Sequence, residues 1–168
     1  LAYHAYHWLE YGQLQLGQNE IAKAMVDSML QYCTALPSPR ARAHAILLKS
    51  TYLAETNDYS SPIIDITVDQ RDLNIVSRAK NYFVTGMAAY YQKNKMTMDS
   101  LIKQLADERI IEDLKTTGTG IRMCGNVNRA QTTQTDLLEA ETMEMELRAM
   151  RAWLEKDATA TENFFKKA

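Results

Sequence analysis

At 168 residues with a formal net charge of −2 and a pI near 5.9, the chain has no large positive field with which to hold phosphates, so nucleic acid is excluded as an expected partner. Hydrophobic residues at 46% and charged residues at 24% exclude disorder and allow a sizeable core. No apolar run reaches the ~18 residues a bilayer span needs, and six Gly and three Pro set against many good helix formers predict an all-α fold.

Residues 2 to 16 read as a first helix with a narrow stripe of Ala2, Ala5, Leu9, Gly12 and Leu16. Gly17 supplies a left-handed cap, and a second helix follows with the stripe Ala22, Val26, Met29 and Cys33. Ser38 and Pro39 mark the cap and first position of a third helix, with the stripe Ala41, Ala45, Leu48 and Tyr52. Residues 57 to 72 break the pattern. Pro62 and the β-branched run Ile63, Ile64, Ile66 and Val68 predict an extended connection packed over the helices.

A fourth helix is expected from an N-cap at Asp72 to Asn94, with the stripe Ile75, Ala79, Tyr82, Gly86 and Ala89. A fifth carries Met98, Leu101, Ile102 and Leu105 towards Leu114. Residues 116 to 130 hold three glycines without periodicity and predict a Gly-rich loop. A sixth helix runs to about Lys156 with Met143, Leu147, Met150 and Leu154 as core, and with the intervening Glu and Arg as a solvated face on which Glu144 and Arg148 pair at i,i+4. Asp157 caps a last helix in which Thr161, Phe164, Phe165 and Ala168 share a side.

Helix, tight polar corner, helix thus recurs around Gly17, Asn94 and Asp157. The chain resembles the tetratricopeptide-repeat superfamily on these residues: Tyr6-x2-Leu9, Leu16-Gly17, Ala22-x3-Val26 and Pro37 in a first unit. A middle unit offers Tyr82, Thr85-Gly86, Tyr90 and Tyr91, and a last one Thr161, Phe165 and Ala168. Glu10 stands where the family has a small Gly, Asp99 or Ser100 where it has Ala, and "SSPIIDITV" replaces a second helix. The first twenty residues are similar to later parts of uncharacterised bacterial repeat proteins. The resemblance implies one domain over 1–168, an α-α superhelix of about three degenerate helix-turn-helix pairs with a concave groove, and a place within a longer chain. It implies no shared chemistry.

Candidate chemistry is sparse. His4 and His7 lie one turn apart, so a metal site with Glu10 or His44 is conceivable, although the spacing is not that of a zinc helix. The Gly-x-Gly at residues 118 to 120 has no preceding strand and no following lysine-serine pair, which argues against phosphate cradling. Cys33 and Cys124 lie far apart, and each reads as an unreactive thiol with no marked base.

The expected function is therefore a non-enzymatic protein or peptide binding module, without cofactor, whose groove uses His4, His7, Tyr11, Lys80, Tyr91 and Glu146. The alternative is a metal-dependent or small-molecule-sensing regulatory domain using His4 and His7. Self-association through an end of the stack is also expected, in an aqueous compartment, cytoplasmic or periplasmic.

Overall fold

A computed structural model describes residues 2–36, 38–117 and 132–168. The fold is all-α: the described residues form seven α-helices and one short 3-10 helix, and no strand. The helices are α1 (Tyr3–Gln15), α2 (Asn19–Ala35), α3 (Pro39–Thr56), α4 (Ile75–Tyr91), α5 (Lys95–Thr117), α6 (Gln134–Leu154) and α7 (Ala158–Phe165). No described helix is long and apolar enough to cross a membrane. The Gly-x-Gly stretch, Cys124 and Pro37 lie outside the described residues.

The chain divides into two compact units, 1–73 and 74–168. In the first, α2 folds back on α1, with Tyr6 Oη donating to the Met25 carbonyl at 3.3 Å, and α3 packs on both. α3 runs in the direction of α1, because Tyr3 lies against His44, His7 meets Thr51 and Gln15 meets Glu55. The expected stripes of α2 and α3 are buried, the free thiol of Cys33 included, and Ser38 caps α3 by accepting from Ala41 N at 3.1 Å.

The face of α1 is not the expected one. Leu9 and Leu16 point outward, and Glu10 and Leu14 are buried, with Tyr3, Tyr6 and His7 half-buried on the same side. Aromatic rings and a carboxyl, rather than small apolar groups, fill the contact with α2 and α3.

Residues 57–72 connect the helices and pack on α3 as expected, but one part of the segment is turned rather than extended. Pro62–Asp65 forms a 3-10 turn started by Ser61, whose Oγ accepts from Ile63 N, and Pro62 supplies the fixed φ of its first position. The segment packs on α3. Lys49 Nζ donates to the carbonyls of Ile64 and Ile66 at 2.9 and 2.8 Å, and Ile63 is buried.

In the second unit α5 folds back on α4, and α6 packs on both in the direction of α4. Asn74, not Asp72, caps α4 by accepting from Ser77 N at 3.0 Å. Asp72 is instead held by Arg42 at 2.7 Å, within the first unit. Ile75, Val76, Ala79, Leu105 and Ala140 form one core cluster, with Tyr82 and Met143 against it. Gly86 permits close approach of α4 and α6: a Cβ there would lie 2.5 Å from Leu147 Cδ2. Among the described residues α7 packs on α6 alone, turning Thr161 inward and leaving Phe165 exposed, against the expectation of one shared side.

The three corners share one geometry. Gly17, Lys93 and Lys156 are left-handed, with φ of 71°, 56° and 63°. Each donates its N–H to the carbonyl three residues back at 2.9 Å, and the next residue reaches five back: Gln18 to Gln13, Asn94 to Ala89 and Asp157 to Ala152. This is the double closure of a Schellman motif, made twice with lysine in place of glycine.

Candidate functional site

α1 carries only one charged side chain, Glu10, and that one points inward. Its outer face therefore presents aromatic, aliphatic and amide groups without a carboxylate, lysine or arginine. Trp8 is 61% exposed, with the rings of His4 and Tyr11 set edgewise to it at 6.2 and 6.4 Å between centroids. His7 sits at the base of this ridge, half-buried, its ring 6.4 Å from Trp8 and its Nε2 3.0 Å from Thr51 Oγ1 on α3. The structure thus brings His4, His7 and Tyr11 together. It adds Trp8, which is four residues after His4 and three before Tyr11, a spacing visible in the sequence but not used.

His44 does not join them. Its Nδ1 lies 2.9 Å from the Arg40 carbonyl and its ring lies on Tyr3. Among the described residues no three His, Cys, Asp or Glu side chains gather as a metal site would require.

The other three candidates lie in the second unit, Lys80 and Tyr91 on α4 and Glu146 on α6. Lys80 pairs with Glu139 at 3.1 Å. Tyr91 is exposed, its ring edgewise to Tyr90 at 5.5 Å. Glu146 is half-buried, and burial raises its pKa.

Around them, charged pairs join the helices. Arg78 donates to Glu108 and Glu112, both at 2.8 Å, and Tyr82 Oη donates to Glu108 at 2.6 Å. Burial, and then that bond, push the Tyr82 phenol well above its ordinary range. Glu144 is 2% exposed, bracketed by Arg109 at 3.0 Å and Arg148 at 2.8 Å. The expectation that this carboxylate lies on a solvated face is corrected: the i,i+4 pair exists, but its carboxylate is buried and only Arg148 reaches the surface.

An open groove of about 440 Å³ lies among α5, α6 and α7. Ile102, Ala106, Ala152 and Phe164 give it apolar walls, and Arg148 and Arg151 stand at its edge. Both arginines are already engaged, Arg148 with Glu144 and Arg151 with Asp99 at 2.9 Å, so the rim is nearly balanced in charge.

Glu10 is the residue whose surroundings are least ordinary. It is 0% exposed, and neither carboxyl oxygen has a hydrogen-bond partner. Burial pushes its pKa up to about 9, so at neutral pH it is a protonated acid. Comparison with known proteins finds no matching family model, and no match among curated proteins or among solved structures.

Proposed function

We propose that this chain is a non-enzymatic protein- or peptide-binding module of the helical-repeat kind, and that α1 carries a contact surface. The observation that carries this reading is the exposed ridge His4, Trp8 and Tyr11. Exposed Trp and Tyr supply large, rigid contact area at low entropy cost, and such residues dominate binding energy at interfaces. An uncharged ridge selects by shape and apolar contact rather than by charge. The helix order of each unit, a hairpin followed by a helix parallel to its first member, is the arrangement a tetratricopeptide-like repeat would need, and it supports the reading.

The test is binding to an immobilised peptide library, with Trp8 emission as a second readout and Trp153→Phe as background. Peptides selected by the parent should lose at least ~10-fold in affinity with Trp8→Ala/Tyr11→Ala, the circular dichroism staying helical. Undiminished binding by the double variant would remove α1 from the site. Failure to select any peptide would overturn the reading.

A further inference from the structure

We propose that Glu10 is a proton-operated latch for α1: the helix stays docked on α2 and α3 while the Glu10 carboxyl is protonated, and is released when it ionises. The inference does not rest on the binding reading above.

The geometry carries it. Glu10 is wholly enclosed where α1 meets α2 and α3, and both its oxygens lack a hydrogen-bond partner. A carboxylate there would be an uncompensated buried charge, which a fold relieves by protonating the group or by opening. No side chain caps the start of α1. Gln18 likewise gives no side-chain cap to α2, and α1 has no acidic residue in its first turn and no basic one in its last.

The other titratable groups of the three helices have their own positions. On α1, Tyr6 donates to Met25 O, Tyr3 Oη lies 3.5 Å from Tyr32 Oη, and His7 meets Thr51. On α3, Lys49 is taken by Ile64 and Ile66, Glu55 accepts from Gln15, His44 lies on Tyr3, Arg40 lies over the Tyr3 ring at 5.3 Å, Arg42 is paired with Asp72, and Tyr52 is buried. On α2, Glu20 and Asp27 are exposed, Lys23 is half-buried, and the Cys33 thiol is raised by burial.

The sign follows from proton linkage. The docked state holds the Glu10 proton up to about pH 9, whereas a released α1 gives it up near the ordinary value of 4.5. Docking therefore weakens as pH rises between these limits, by up to about tenfold per unit, and is flat outside them. Lys49, lowered by burial to about 8, acts in the opposite direction above that pH, so the clean window lies below about 7.5.

The experiment is amide hydrogen exchange on the whole chain from pH 5.5 to 7.5, corrected for intrinsic rates, with the carbon resonance of the Glu10 carboxyl followed to pH 10. Protection of α1 amides should fall by ~10 to 100-fold across the window while α4 to α6 hold theirs. Glu10→Gln should flatten the response, and His7→Gln should keep it. A flat parent, an equal slope in Glu10→Gln, or loss of the slope in His7→Gln would each overturn the latch. So would a Glu10 resonance titrating near 4.5, a readout that needs no variant to fold.

Discussion

The two units each bury one glutamate almost completely, and they neutralise it in opposite ways. Glu144 on α6 keeps company with Arg109 and Arg148 at 3.0 and 2.8 Å, whereas Glu10 on α1 has no hydrogen-bond partner and is neutralised by a proton. The arginines reach Glu144 because α5 and α6 run antiparallel side by side and Arg148 is one turn along. The helices beside Glu10 offer their cations elsewhere, Lys49 to backbone carbonyls and Arg42 to Asp69 and Asp72. Burial alone thus does not say whether a carboxyl is charged. The neighbouring helix decides.

The largest test of that contrast removes the second unit's solution. Arg109→Met/Arg148→Met leaves Glu144 buried and unpaired, and should cost about 3 to 5 kcal/mol at pH 7 in urea denaturation. The converse change in the first unit should stabilise. Glu10→Leu removes the need to hold a proton that the unfolded chain releases, and should gain about 3 kcal/mol at pH 7 but much less at pH 5, read from α1 and α2 exchange.

A smaller effect tests the small-residue position. Gly86→Ala sets a Cβ against Leu147 Cδ2, so calorimetry should show a loss of about 1 to 3 kcal/mol, whereas Gly12→Ala in the first unit, with nothing within 4 Å, should be neutral or gain up to about 1 kcal/mol from helix propensity. The smallest concerns the corners. Lys93→Gly and Lys156→Gly relieve left-handed lysines and should each add about 0.5 to 1 kcal/mol, while Gly17→Ala should lose about 1 kcal/mol.

Several of these features were legible beforehand. The stripes of α2, α3 and α4, the Ser38 and Asp157 caps and the three corners follow from spacing and local chemistry, which act within a few residues. His4, His7 and Tyr11, expected to line a groove, share one neighbourhood of α1 around Trp8, since positions three and four apart share a helix face. Misreadings arose where a distant partner intervened. Asp72 has the position of a cap but is held by Arg42, and of the isoleucine run Ile63 and Ile64 turn after Pro62 while Ile66 keeps an extended backbone.

Helicity, the places where most helices begin and turn, and the lack of a large field of either sign follow from the order and kind of the residues alone. These depend on short-range periodicity and composition. Packing of α1 on α2 and α3 settles which of its faces is inside, and with it the fate of Glu10, while packing of α5 on α6 settles that of Glu144. A stripe of small apolar residues competed on α1 with a stripe of rings and a carboxyl, and only packing against α2 and α3 resolves such a choice. The charge of a buried group depends on atoms from other helices, at distances that sequence spacing does not encode.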